Sequence, residues 1–215
     1  MAEPLTLTTA DGVTLEGEIE RAPGAPRAGM VLCHPHPRYG GTMRSIVISA
    51  LFDTLPPAGV TCLRFNFRGV EGSEGAHDDG NLERVDAETA VAFLEHEIGP
   101  PAPLVLAGWS FGADMALSVR AATVTAWLAI AAPLRYVHDL AGLAADPRPK
   151  LVAVAQHDEV RDPAEVVACA ETWANADVQV VGGASHFFMG RTDRLVELAT
   201  AYVDRLTGRR DSTPT

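Results

Sequence analysis

Residues 103–112 read Pro-Leu-Val-Leu-Ala-Gly-Trp-Ser-Phe-Gly, and an alanine-rich segment, Ala113 to Ala122, follows directly. The apolar run predicts a buried strand, and the alanine-rich segment predicts a helix. Between them lies Gly108-Trp109-Ser110-Phe111-Gly112, a G-x-S-x-G pentapeptide. A strand that turns so sharply into a helix pushes the serine Oγ above the sheet edge. Glycines flank it because a Cβ there would collide with neighbouring backbone. The helix start aims free N–H groups at any negative charge that develops near Ser110. The segment therefore demands a sheet with helices packed on it, and it marks Ser110 as a candidate nucleophile.

The rest of the chain fits that demand. Leu5 to Thr9 and Val13 to Glu20 alternate apolar and polar residues about Asp11-Gly12, which predicts an antiparallel hairpin. Strands are expected at 29–33, 60–67, 103–107, 124–131, 150–156 and 177–181. Helices are expected at 42–55, 82–98, 113–122, from Pro163 onward, and at 190–207. On the helix at 82–98, Val85, Thr89, Ala92, Phe93 and His96 fall near one face. Residues 133–149 form an irregular segment. Alternation of strands and helices after an opening hairpin implies a mostly parallel sheet of about eight strands, with helices on both faces. Residues 1–208 are expected to form a single domain, and 209–215 a flexible tail.

The chain has 28 acidic residues against 17 Lys and Arg, a net charge of −11. That balance argues against nucleic acid and anionic membrane surfaces as partners. No apolar run approaches the roughly 20 residues needed to span a bilayer. Met1-Ala2-Glu3-Pro4-Leu5-Thr6 lacks the basic and apolar regions of a secretory signal. Cys33, Cys62 and Cys169 form no disulfide or zinc pattern, in keeping with reduced thiols and a cytoplasmic location.

A serine nucleophile needs a base, and the base needs an orienting carboxylate. After an elbow of this kind they follow in the order acid, then histidine. His138, His157 and His186 follow Ser110. His186 lies in Gly182-Gly183-Ala184-Ser185-His186-Phe187-Phe188, expected to be a loop past the last strand, and is the candidate base. His157 adjoins Asp158 and is expected to point away, and His138 falls in the irregular segment. Asp158 comes first after the strand at 150–156 and is the favoured acid, with Glu159 and Asp162 as rivals. An oxyanion hole needs two backbone N–H donors. Phe111 supplies one. His36 is the candidate for the other, because Pro35 and Pro37 have no N–H; Tyr39, Gly40 and Gly41 are alternatives. His34 and His36 alone do not make a metal site, and no metal or cofactor is expected.

Several motifs together resemble a known family. Beside the G-W-S-F-G elbow stand His34-Pro35-His36-Pro37-x-x-Gly40-Gly41-Thr42-Met43, Leu63-Arg64-Phe65-Asn66-Phe67-Arg68-Gly69-Val70 with Gly72-Ser73-x-Gly75, and Ser185-His186-Phe187-Phe188. From about residue 5 to 206 the chain resembles the small, lidless bacterial α/β-hydrolases described as dienelactone-hydrolase-like or predicted esterases. The resemblance implies an α/β-hydrolase fold without a large lid. It also implies a Ser110–Asp158–His186 triad and an oxyanion hole at Phe111 and the His36 region. The chain departs from the family in three places. Ser110 stands where true dienelactone hydrolases have cysteine, and Glu71 and Gln156 stand where members often have glycine.

The expected chemistry is ester hydrolysis through an acyl-enzyme. The partner would be a small-molecule ester and the protein a monomer or homodimer. The short segment between the strands at 124–131 and 150–156 leaves no room for a large lid, which favours small or short-chain acyl esters. Tyr39, Trp109, Pro133, Leu134 and Phe187 are candidates for shaping the substrate pocket. The alternatives are a catalytically silent scaffold that binds a ligand or partner, and an acyltransferase or perhydrolase using the same triad. A peptidase would lack the cap or propeller that selects peptides. Strand alternation would put Arg64, Asn66 and Arg68 on one face, opposite Phe65 and Phe67. There they would tie the loop beneath the site to acids such as Glu83 or Asp86, or else bind a substrate carboxylate.

Overall fold

The β-strands of the computed structural model, which describes residues 1–208, join in one sheet with the order β1-β2-β4-β3-β5-β6-β7-β8. The tail expected at 209–215 lies outside the described residues. β1 (Glu3–Thr8) and β2 (Thr14–Glu20) form the opening hairpin, turning through Asp11-Gly12. β2 also pairs antiparallel with β4 (Val60–Phe65). β3 (Ala28–Cys33) lies between β4 and β5 (Leu104–Trp109), and from there on every pairing is parallel. β3, β4 and β5 are buried along their whole length, as strands covered on both faces must be. β6 (Val124–Ile130), β7 (Lys150–His157) and β8 (Ala176–Ser185) complete the sheet.

Two apolar layers flank it. α1 (Ile46–Thr54) and α6 (Thr192–Leu206) cover one face, with Phe52, Leu51, Leu195 and Tyr202 packed on Met30, Val105 and Leu128. α2 (Glu83–Ile98), α3 (Phe111–Ser118), α4 (Leu140–Ala145) and α5 (Pro163–Ala170) cover the other, around Phe65, Phe67, Leu106 and Trp127.

Several elements differ from the expectation for physical reasons. α1 begins at Ile46 because residues 42–45 are spent in a turn, in which the Thr42 N–H donates to Ser45 Oγ at 3.0 Å. α3 begins at Phe111 and stops at Ser118, since Val119 is already extended. The irregular segment contains α4, capped by Asp139. β8 runs on to Ser185, through the two glycines that signalled a loop. A register shift between Ala155 and His157 absorbs the irregularity, with the Gln156 side chain accepting from the Gly183 N–H at 2.7 Å. On α2 the buried face is Ala87, Ala90, Val91 and Leu94 with the acids Glu83 and Asp86; Ala92 and His96 are exposed. Ala87 and Ala90 share that face with Val91 and Leu94, so a stripe drawn through Val85 and Phe93 is offset from the buried one.

β4 ends at Phe65, so Arg64, Asn66 and Arg68 do not share a face. Arg64 lies over the Phe52 ring on the α1 side and bonds Glu18. Arg68 turns to the α2 side, where it grips the buried Asp86 and reaches Asp11. Asn66 donates to Glu16 and Glu71 while accepting from the Met43 N–H at 2.8 Å. All three are structural ties, with Asp86 as the helix acid.

Candidate active site

The site sits over the C-terminal ends of β3, β5, β7 and β8, where open parallel sheets place their ligand clefts. Ser110 occupies the turn between β5 and α3 with φ 57° and ψ −123°. Such a conformation costs a non-glycine residue about 1–3 kcal/mol and persists only where neighbours enforce it. They do so here: the Ser110 N–H donates to the Ile130 carbonyl at 2.8 Å, and its own carbonyl accepts from Ala113 and Asp114. A Cβ on Gly108 would lie 2.1 Å from the Gly112 carbonyl oxygen, and one on Gly112 would lie 2.2 Å from that of Cys33. Both glycines are therefore required by contact.

Ser110 Oγ lies 2.9 Å from His186 Nε2. His186 Nδ1 lies 2.8 and 3.0 Å from the two carboxylate oxygens of Asp158. The carboxylate dictates the tautomer: Nδ1 carries the proton and Nε2 accepts from the serine. Burial pushes the Asp158 carboxyl up, but the bond from His186 and the N–H groups of Val160 and Arg161 outweigh it and hold it below the ordinary range. The rivals of Asp158 have other tasks. Glu159 accepts from the His186 backbone N–H at 3.1 Å, and Asp162 caps α5. The Trp109 indole donates to the His186 carbonyl at 3.0 Å, so the histidine backbone is held at both its N–H and its carbonyl. A hydroxyl, an imidazole and a carboxylate in such a line can transfer a proton off the hydroxyl as it attacks.

Phe111 is the first residue of α3, so its N–H lies outside the helical ladder. His36 opens the short 3₁₀ turn Pro37–Tyr39, and its ring packs 4.9 Å from that of Phe111. Its carbonyl accepts from Tyr39 and Gly41, and its Nδ1 accepts from the Arg38 N–H. That leaves the N–H groups of Tyr39 and Gly41 already used. His34 is buried: Nδ1 donates to the Pro35 carbonyl at 2.6 Å, and Nε2 accepts from the Phe67 N–H at 3.0 Å. Desolvation pushes its pKa down to about 3, so it stays a neutral pin between two loops. Among the described residues no group of three or more His, Cys, Asp or Glu side chains is placed to hold a metal ion.

A cleft of about 670 Å³ opens above Ser110 and His186. Tyr39, Trp109, Phe187 and Pro133 line it, as do His36 and Phe111, whereas Leu134 does not. Leu134 instead turns the backbone at φ 56°, beside the wall. Tyr39 and Phe187 form the rim at 87 % and 50 % exposure, while Trp109 is buried. Five wall residues carry no signal in the sequence reading: Ser45, Ile46, Arg135, Tyr136 and Val160. Asp114 falls at the wrong end of its element to serve as the acid, and its buried carboxylate instead accepts from the N–H groups of Leu134, Arg135 and Tyr136. Its place in the first turn after Ser110 is the available signal. His138 and His157 stay outside the cleft lining.

No protein-family model matches the chain. It is 32% identical over 201 residues to an uncharacterised protein of Rickettsia prowazekii, a match covering 88% of this chain and 84% of that one. Among solved structures it is similar to an alpha-beta serine hydrolase homologue from Coxiella burnetii. That pair shares 33% identity and a TM-score of 0.83, over 93% of this chain and 96% of the other. A lidless α/β serine hydrolase from Xanthomonas campestris shares 28% identity at TM-score 0.83, over 99% and 97% of the two chains. The chain belongs to the α/β-hydrolase family, as an enzyme of the serine hydrolase type. Among the described residues no helix is long and apolar enough to cross a membrane.

Proposed function

We propose that this hydrolase is a carboxylesterase acting on small or short-chain acyl esters, with Ser110 as nucleophile, His186 as base and Asp158 as its orienting acid. The observation that carries the reading is the continuous contact from Ser110 Oγ to His186 Nε2 at 2.9 Å and from Nδ1 to Asp158 at 2.8 Å. Oγ attacks the ester carbonyl carbon as its proton passes to Nε2, and the negative oxygen is met by the Phe111 and His36 N–H groups. His186 then returns the proton to the departing alkoxide, leaving an acyl group on Ser110. Water, deprotonated by His186, releases the acid. Tyr39, Trp109 and Phe187 shape the apolar mouth that receives the substrate.

An active-site-directed fluorophosphonate tests the assignment. The expected result is a single phosphonyl adduct on the peptide carrying Ser110, formed much more slowly in His186→Ala. Labelling at another residue, or none, would overturn it.

A further inference from the structure

Every arginine among the described residues is in ion-pair contact with a carboxylate except Arg135 and Arg191. In a chain with 28 acids against 17 Lys and Arg, such freedom is unexpected. Arg191 uses its guanidinium on the Gly182 and Gly190 carbonyls. Arg135 stands in the wall of the catalytic cleft and, among the described residues, is the only permanently charged side chain there. One Nη donates to the Val160 carbonyl at 3.0 Å, and its other N–H groups bond no protein acceptor among the described residues. Asp114 lies below, but it is buried and its oxygens are taken by three backbone N–H groups, including that of Arg135 itself. The same carboxylate thus fixes the backbone that carries the arginine while leaving the guanidinium free.

We propose that Arg135 is a specificity-determining residue that receives a carboxylate borne by the ester substrate. The inference rests on the esterase reading above and names its substrate class: esters with a second, anionic carboxylate on a short chain. A guanidinium offers paired donors that match a carboxylate. The Val160 carbonyl holds one donor and so reduces the freedom lost on binding. The apolar residues beside it, Pro133, Tyr136 and Val160, would contact the methylene chain between the two carbonyl carbons. The carboxylate could sit on the acyl or the alcohol side, and the two sources are separable.

The test compares anionic esters with neutral isosteres at low ionic strength. On the acyl side, mono-p-nitrophenyl glutarate is set against p-nitrophenyl 5-methylhexanoate. On the alcohol side, 4-carboxyphenyl butanoate is set against 4-isopropylphenyl butanoate. The expected result is that one anionic ester exceeds its isostere in kcat/KM. That ratio should fall at least about 5-fold in Arg135→Gln, be largely kept in Arg135→Lys, and shrink with added salt. Whichever pair responds identifies the side that carries the carboxylate. Ratios near or below one in both pairs, or ratios that Arg135→Gln leaves unchanged, overturn the assignment while the esterase reading stands. If none of the four esters is cleaved, or cleavage persists in Ser110→Ala, the esterase reading fails and the assignment falls with it.

Discussion

Asp114 shows how one buried side chain can hold a cleft wall in place. It sits in the first turn of α3, yet its oxygens bind the 134–136 backbone, which carries Arg135 and Tyr136 into the cleft. Burial lifts its carboxyl from 3.8 to about 6, against the pull of those three N–H donors. A carboxyl raised in the folded state binds more protons folded than unfolded between these values. Stability contributed by this group is therefore lost as pH rises from about 4 to 6. Unfolding midpoints should show wild type losing roughly 2–3 kcal/mol relative to Asp114→Asn across that window. A difference that stays flat with pH would contradict the assignment. Asp114 was hard to find in the sequence because its partners are backbone groups twenty or more residues away. Ser110, His186 and Asp158 were legible because strand ends and the order of elements mark them. Glu159 was legible only as a rival acid, since nothing local reveals that it accepts from the His186 backbone.

At the level of elements, the ties between β4 and its neighbours matter most. Arg68 has 2 % of its side chain exposed and bridges the fully buried Asp86 of α2 to Asp11 of the opening hairpin turn. Removing the cation strands Asp86 without compensation, which for buried pairs costs about 3–5 kcal/mol. Arg68→Met should lose stability of that order in denaturant unfolding, and the double variant Arg68→Met/Asp86→Leu should recover much of it. A single variant as stable as the double would refute a clamp. Alternation along β4 predicted a shared face for Arg64 and Arg68. It failed because alternation holds only while the strand lasts, and β4 stops at Phe65. The α2 stripe was obscured for a different reason: its buried face mixes two alanines, Val91 and Leu94 with two acids, Glu83 held by the backbone just before the helix and Asp86 by Arg68 just past the end of β4. β8 outran its expected end because a bulge opposite Gln156 accommodates its glycines. Strand number, helix placement and the mostly parallel sheet were legible from periodicity, since long apolar runs leave little choice of partner.

For the molecule as a whole, the feature that bears on substrate choice is that, among the described residues, no element covers the site. The connection between β6 and β7 holds only the six-residue α4, and the cleft opens directly between Tyr39 and Phe187 on its rim. In a cleft this open to solvent a short acyl group can rest against Trp109 and Phe111, and the outer carbons of a long chain are expected to gain little further burial. The most direct measurement is kcat/KM on p-nitrophenyl esters from acetate to laurate, in wild type and Ser110→Ala. The account predicts a maximum at acetate to butyrate, and a loss of at least about 10⁴-fold in the variant. A maximum at the long chains, or turnover that survives without the Ser110 hydroxyl, would contradict it.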